Sequence, residues 1–131
     1  MPLPDPKKLE AADARRRREE AQKDARSAAA IEAQIKVNLP AIGKRLEELA
    51  EQAIRDAIRM GRHETTAFVI DLDQGGAYDI AYRNVYRSAI ADLANAEQDH
   101  GYVIIDFEDT RTDPEGFEKP TRYLGMKITW R

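Results

Sequence analysis

The first thirty residues of the chain carry almost no large apolar side chain, although their composition is typical of a helix. Between Pro6 and Ala30 the one large hydrophobic residue is Leu9, and alanine, arginine and glutamate fill most other positions. A helix of this kind has no apolar stripe that could pack against its own domain. The sequence therefore predicts a helical or extended arm at residues 1–37, followed by a compact domain at residues 38–131.

Charged residues are spaced to support a helix along this arm. Asp5 can cap a helix that has Pro6 in its first turn. An oppositely charged pair four residues apart adds about 0.3 kcal/mol to helix stability. Such pairs occur at Asp13–Arg17, Arg15–Glu19, Arg16–Glu20 and Glu19–Lys23. Because a helix with only this support is marginal in water, we expect an ordered arm to be held by other chains.

The compact domain begins with an amphipathic helix and a strand. Between Asn38 and Gly61, apolar residues recur three and four residues apart, which predicts a helix with one buried face. A strand is predicted at residues 65–72. Its alternation places Phe68, Ile70 and Leu72 on one face and Val69 and Asp71 on the other.

A second helix and two further strands complete the domain. The helix is predicted from near Asp79 to His100, because one of its faces carries aromatic and aliphatic residues at helical spacing. A strand follows at residues 102–108, with Val103, Ile105 and Phe107 on one side. The last strand alternates as a half-buried strand does. Its predicted buried residues are Leu124, Met126, Ile128 and Trp130.

These elements predict an α+β fold: a long N-terminal helical arm, then helix, strand, helix, strand, strand. Two helices on one face of a three-stranded sheet would bury the apolar faces, with the last two strands as an antiparallel hairpin. The first strand, the second helix and the second strand are also compatible with a right-handed parallel crossover.

Composition narrows the class of protein. The chain has no cysteine, which excludes disulfide bonds and thiolate zinc sites, and its apolar runs are too short to span a bilayer. Residues 1–36 hold nine Lys and Arg against seven Asp and Glu, whereas residues 37–131 hold twelve against seventeen. A basic arm and an acidic domain favour head-to-tail contact between copies. We expect a soluble, intracellular or assembly-borne protein with no membrane contact.

One segment has some of the acids of a calcium loop. Asp71, Asp73 and Asp79 occupy the first, third and ninth positions of such a loop, and Gly76 the sixth. However, Tyr82 stands where the loop requires a bidentate glutamate, and a predicted strand precedes it in place of a helix. A strand end, a Gly-Gly turn and an N-capping aspartate are the simpler interpretation, so no metal or other cofactor is predicted.

The sequence contains only weak candidates for a set of catalytic residues. Asp71, Asp106 and Glu108 lie on predicted strands, but the acid-x-lysine spacing of a nuclease-like metal site is absent. Solvated outer positions of a one-sided sheet explain these acids more simply. His63 and His100 stand near helix ends, where a partly charged imidazole is favourable without a catalytic role. No enzymatic activity and no catalytic residue are predicted.

Two features bear on nucleic-acid binding. The four arginines at residues 15–18 form a dense basic run, but consecutive helical residues point around the whole circumference and do not form a stripe. Tyr78, Tyr82 and Tyr86 recur every four residues and could stack on bases, although such a ladder is more often core or interface. Nucleic-acid binding is therefore the less favoured interpretation.

The predicted hairpin is acidic. From Asp106 to Glu118 there are six acids and a single arginine, Arg111. Such a surface can dock a basic partner, including the arm of a neighbouring copy. It can also be a solvated hairpin that protects an edge strand.

The layout of the domain resembles that of small α+β proteins encoded by tailed bacteriophages. The resemblance covers residues 40–131 and rests on the order of elements and on two segments. These are His100-Gly101-Tyr102-Val103-Ile104 and Leu124-Gly125-Met126-Lys127-Ile128-Thr129-Trp130. It assigns no functional residue, and it implies a virion component, an assembly factor or an inhibitor of host machinery.

Together, these patterns predict a non-enzymatic structural or assembly component of a bacteriophage particle. It would dock on neighbouring chains through its arm, as a homo-oligomer or within a larger virion assembly, and it would be located in the virion or the host cytoplasm. The alternative is a phage-encoded protein that inhibits or redirects a host enzyme or binds nucleic acid. The residues predicted to contact partners are Arg15, Arg16, Arg17, Arg18, Ala28, Ile31, Ile35, Asp106, Glu108 and Asp109.

Overall fold

Three α-helices and three β-strands form in residues 3–131, the part of the chain that the computed structural model describes. The fold is α+β, and the order of elements is the predicted one. The elements are α1 (Pro6–Lys36), α2 (Leu39–Arg59), β1 (Glu64–Leu72), α3 (Gly76–Glu97), β2 (Tyr102–Arg111) and β3 (Thr121–Trp130), with a 3-10 turn at Gln98–His100 before β2. Within these residues, no helix is long and apolar enough to cross a membrane.

The arm helix α1 begins where the capping pattern predicts. The backbone N–H of Lys7 donates to Asp5 Oδ1 at 3.0 Å, and Pro6 is the first helical residue. An aspartate cap satisfies one of the backbone donors that a helix start leaves unpaired. Residues 1–2 of the predicted arm lie outside the described residues.

Two of the four predicted ion pairs form along α1. Arg17 lies 3.0 Å from Asp13, and Arg16 lies 3.8 Å from Glu20. Arg16 also pairs with Asp13 at 2.9 Å. The two predicted pairs that involve Glu19 are not formed within residues 3–131.

The C-terminal part of α1, residues 24–36, packs on α3 of its own chain. Ala28 is 1% exposed, and Asn84 Nδ2 donates to Glu32 Oε1 at 2.6 Å. Eight residues earlier in each helix, the carboxylate of Asp24 lies beside Gly76 at the start of α3. Both contacts join residues with the same separation in sequence, so α1 and α3 run side by side in the same direction.

This packing divides α1 into two parts. Residues 24–36 lie against α3, whereas residues 6–23 extend beyond the first residue of α3. We call residues 6–23 the projecting arm; at 1.5 Å per residue it is about 27 Å long. The sequence division at residue 37 placed the whole of α1 outside the body. It missed the intramolecular contact because it assigned Ala28, Ile31 and Ile35 to contacts with other chains.

The sheet has the strand order β1-β3-β2, and both neighbouring pairs are antiparallel. The predicted hairpin of the last two strands is confirmed. Strands β1 and β2 run in the same direction, as the crossover interpretation requires, but β3 lies between them. Both β1 and β2 are therefore edge strands.

A bulge in β1 changes the face on which Phe68 lies. The pairing with β3 shifts between Phe68 and Ile70, so that Phe68 stands opposite Gly125 and Ile70 stands opposite Leu124. Leu72 is buried, whereas Phe68 is 43% exposed. The prediction that Phe68 shares a face with Leu72 is wrong, because one extra residue in a strand reverses the alternation on one side of it.

The helices cover the face of β2 that carries Asp106 and Glu108, although these acids were expected at solvated outer positions. Ile104 pairs with Ile128 and is buried, while Val103 and Ile105 are 55% and 58% exposed. Directly opposite residues of an antiparallel pair lie on the same face of the sheet. Pairing to the buried residues of β3 therefore turns Ile104 and its alternate neighbours toward the helices and leaves Val103 and Ile105 on the open side.

The core lies between the sheet and helices α2 and α3. Leu124, Met126 and Ile128 are fully buried, which confirms the alternation predicted for β3. Trp130 packs against the edge of this core, in an edge-on contact with Tyr102 at 6.0 Å between ring centroids. It is half-buried and not fully buried as predicted, because it is the last residue of β3 and the sheet ends beside it.

Candidate interaction surfaces

The projecting arm is exposed along its length. Only Asp13 and Ala14 are partly covered among residues 6–23. This segment holds seven Lys and Arg against four Asp and Glu, and Leu9 is its one large apolar residue. The arginines predicted to contact partners, Arg15, Arg16, Arg17 and Arg18, all lie here and are exposed.

Three other predicted contact residues lie within the chain's own packing. Ala28 is buried, and Ile31 and Ile35 are half-buried. Ile35 packs against the hydrophobic core of the domain. These side chains anchor α1 to its own body, and they leave the contact with neighbours to the projecting arm.

Two predicted docking acids lie under α3 and bind its arginines. Arg83 Nε donates a hydrogen bond to Glu108 Oε1, and Arg87 lies 2.9 Å from Asp106. Arg122 of β3 approaches Glu108 to 3.6 Å. The side chain of Glu108 is only 15% exposed. These acids therefore hold α3 on β2, and the expected contact with a neighbour's arginines would have to displace internal partners.

This network sets the ionisation of Glu108. Burial by itself raises the pKa of Glu108, but the hydrogen bond from Arg83 and the charges of Arg83, Arg87 and Arg122 outweigh it. The net effect is a pKa below the ordinary value of 4.5. Glu108 is thus a carboxylate whose charge stabilises the folded chain.

The third docking acid, Asp109, lies on the uncovered side of the sheet. Its Oδ1 accepts the backbone N–H of Thr110 at 2.7 Å, and it stands opposite Tyr123 in the pairing of β2 with β3. Asp109 is exposed. It therefore remains available to a partner.

The uncovered side of the sheet carries aromatic and aliphatic side chains. We call it the open sheet face and define it by Phe68, Val103, Ile105, Phe107 and Tyr123. The Tyr123 ring lies 5.5 Å from the Phe68 ring and 6.0 Å from the Phe107 ring, measured between centroids. A one-sided antiparallel sheet normally turns polar residues to water, and a contiguous apolar surface is typical of an interaction site.

A charged group borders the aromatic cluster. The guanidinium of Arg111 lies 5.1 Å from the Phe68 ring centroid and pairs with Asp71 at 3.0 Å. A cation over an aromatic face is attracted by the ring quadrupole. Arg111 therefore covers part of Phe68 while its charge stays at the edge of the open sheet face.

Sequence reasoning missed the open sheet face. The alternation in β2 was read correctly, but the apolar set Val103, Ile105 and Phe107 was not distinguished from the set that packs on the helices. Gly125 was the available signal: a glycine between two alternating apolar residues in a central strand often marks the close approach of a side chain.

The loop that resembles a calcium site uses its aspartate to shape the turn. Asp79 accepts the backbone N–H of Gly75 at 2.8 Å and that of Gln74 at 3.2 Å. Helix α3 begins at Gly76, three residues before the predicted start, with Gly75 in the cap position. Within residues 3–131 there is no group of three or more His, Asp or Glu that could hold a metal ion.

The histidines and the tyrosine ladder have structural contacts. The hydrogen bond with Glu97 raises the pKa of His100, and the His63 ring lies 6.4 Å from the Trp130 ring. The ring centroids of Tyr82 and Tyr86 are 6.2 Å apart, and both side chains pack against the hydrophobic core. The core interpretation of the ladder therefore holds for these two tyrosines.

Comparison with known proteins finds no matching family model, no matching curated protein and no matching solved structure. The exposed surfaces of this chain are therefore the basis for its proposed function.

Proposed function

We propose that the protein is a non-enzymatic assembly component that contacts neighbouring protein chains through its projecting arm. A bacteriophage particle is the setting that we propose, on the basis of the layout of the domain. The proposal concerns protein partners. The four consecutive arginines point around the whole helix and Asp13, Glu19 and Glu20 flank them, so there is no one-sided basic stripe for a phosphate backbone.

The observation that carries this proposal is the geometry of α1. Its C-terminal part, residues 24–36, is fixed on α3 by a buried alanine and a hydrogen bond, so the direction of the projecting arm is set by the body. The arm itself gains only helix propensity and ion pairs, which are marginal for an isolated helix in water. A helix held in a defined direction, without apolar contacts of its own, is suited to packing on another chain.

The open sheet face is a second surface that supports an interaction role. Val103 and Ile105 are more than half exposed beside the aromatic cluster. Strand β2, which carries them, is a regular edge strand of ten residues with no shift in its pairing to β3. Exposed edge strands pair readily with other chains unless they are covered.

A proline in the projecting arm tests the proposed function. Ala14→Pro interrupts the helix at a cost of about 3 kcal/mol, far from the segment packed on α3. We expect the wild-type chain to have a mass in solution above the 14.9 kDa of one copy, and the variant to fall to that mass while its far-UV spectrum shows a folded body. The measurement is light scattering coupled to size exclusion.

Ala14→Ser is the matched control, since it changes the same residue without breaking the helix, and it should keep the wild-type mass. Two results would contradict the proposal. One is a wild-type chain that stays at the mass of one copy up to high concentration, and the other is an assembly that the proline leaves intact.

A further inference from the structure

A groove runs along α2 where it faces α3, and one end of it reaches the sheet at Tyr102 and Ile104 of β2. One face of α2 lines it from Leu39, through Gly43 and Glu47, to Ile54 and Ile58, and Leu93 of α3 faces them. Glu47 and Leu93 line both halves, so the groove is continuous along α2. From Leu39 to Ile58 it is about 28 Å long at 1.5 Å per residue.

The floor of the groove is apolar and partly built from small residues. Ile58 and Leu39 are 57% and 38% exposed there. A side chain added at Gly43 would meet no atom within 4 Å, so this stretch of α2 is open. Small residues at a contact let a second helix approach closely, since they do not hold its backbone away.

The rim of the groove is acidic. Glu47, Glu51, Asp92 and Glu97 line it, with Arg55 as the one base. Glu51 pairs with Arg55 and Glu97 with His100, while Glu47 and Asp92 form no ion pair within residues 3–131. An apolar floor between acids is complementary to a basic helix with small residues.

The groove lies along the same side of α3 as the surface on which α1 packs. Asn84, which bonds Glu32 of α1, lies on the same row of α3 as Asp92 and Ala96, because residues four apart stack along one side of a helix. The chain's own α1 ends beside this row at Lys36, and the groove opens further along it. The projecting arm points the opposite way, so it cannot enter the groove of its own chain.

We propose that the α2/α3 groove of one copy binds the projecting arm of a second copy. The two match in length, about 28 Å against about 27 Å. They also match in charge, since the arm holds seven bases against four acids and the rim four acids against one base. The contact is head-to-tail, so it produces a closed ring or an open chain of copies. This inference rests on the proposed function and names the partner of the arm.

Cross-linking of the full-length chain tests the proposal directly, because the natural sequence has no cysteine. Ala14→Cys marks the middle of the projecting arm, and Glu47→Cys marks the middle of the groove. Glu48→Cys is the matched control: it removes the same charge from the adjacent, exposed residue of α2, which does not line the groove. The Ala14→Cys chain is mixed with each partner and treated with a short bismaleimide.

We expect the Ala14→Cys chain to link to Glu47→Cys several-fold more than to Glu48→Cys. Equal or greater linkage to Glu48→Cys overturns the groove as the receptor but leaves arm docking in place. Absence of linkage to either position also overturns the groove proposal. The mass of the unlinked chain then distinguishes failure of the groove proposal from failure of the proposed function. A chain of single-copy mass contradicts both.

Charge reversal gives an independent readout. Glu47→Lys places a base where the arm brings bases, and we expect self-association to weaken by about tenfold, which is the effect of one unfavourable charge contact of about 1.4 kcal/mol. Glu48→Lys carries the same charge change outside the groove and should leave the association constant within about twofold of wild type. Equal weakening by both variants would show a general charge effect and contradict the groove.

Discussion

At the residue scale, one glycine decides how the open sheet face is built. A Cβ at position 125 would lie 2.6 Å from Phe107 Cζ and 3.0 Å from the carbonyl oxygen of Ala67. No side chain fits there while Phe107 lies across β3. Gly125 thus lets the Phe107 ring cover the central strand and reach Tyr123.

We expect Gly125→Ala to lower the free energy of unfolding by about 2 kcal/mol, as forced overpacking does. Urea denaturation measures this change. Gly43→Ala is the control, because its Cβ meets open space within α2, and it should stabilise the chain by about 0.8 kcal/mol through helix propensity. A loss below about 0.5 kcal/mol for Gly125→Ala would show that Phe107 moves aside at little cost and that the cluster is not fixed.

Glu108 gives a second prediction at this scale, because its pKa is lower in the folded chain than its ordinary value of 4.5. A carboxyl with a depressed folded pKa contributes stability above the unfolded-state value, and that contribution is lost as the pH falls through the folded value. Glu108→Gln should therefore cost about 1 kcal/mol near neutral pH. The difference from wild type should shrink as the pH falls below 4.5.

Urea denaturation at a series of pH values measures that difference. Glu115→Gln is the control, since Glu115 is exposed and forms no ion pair within residues 3–131, and it should change the stability little at any pH. If the stability lost through Glu108→Gln stayed constant down to pH 3, the ion pairs of Glu108 with Arg83, Arg87 and Arg122 would not account for that loss.

At the scale of elements, α1 is a single helix with one part packed on its own chain and one part exposed. Its C-terminal part, residues 24–36, carries a stripe in which Ala28, Ile31 and Ile35 are covered to different degrees, and this stripe fixes it on α3. Its first part has no such stripe. The sequence predicted the start, the cap and two of the charge pairs of α1, because these depend on neighbouring residues alone. It did not predict the packing on α3, because a short stripe of Ala28, Ile31 and Ile35 does not specify which surface it meets.

The anchor can be separated from the projecting arm by one substitution. Ala28→Glu places a carboxylate at a site that is 1% exposed, and we expect the free energy of unfolding to fall by about 2 kcal/mol. Ala29→Glu makes the same change at the adjacent exposed residue and should stay within about 0.5 kcal/mol of wild type. Similar stabilities for the two variants in thermal unfolding would show that residues 24–36 are not fixed on α3.

At the scale of the whole molecule, local patterns predicted which elements form and in what order, but not how they meet. The bulge at Phe68 and the pairing of Ile104 with Ile128 depend on contacts between distant strands. Phe68 was therefore placed on the wrong face of β1, and the acids of β2 were expected at solvated positions. The same pairing placed Asp106 and Glu108 under α3, where Arg83 and Arg87 reach them. The arm could be recognised as a candidate contact because its lack of large apolar residues is a property of the sequence itself.

The central claim is that other copies hold the projecting arm, while α3 of the same chain holds the rest of α1. Amide hydrogen exchange of the full-length chain over a series of concentrations tests this claim most directly, because it reports on each segment separately. We expect residues 6–23 to exchange slowly at high concentration and rapidly on dilution, while residues 24–36 stay protected throughout. Rapid exchange of residues 6–23 at every concentration, or protection that does not change on dilution, would contradict the account.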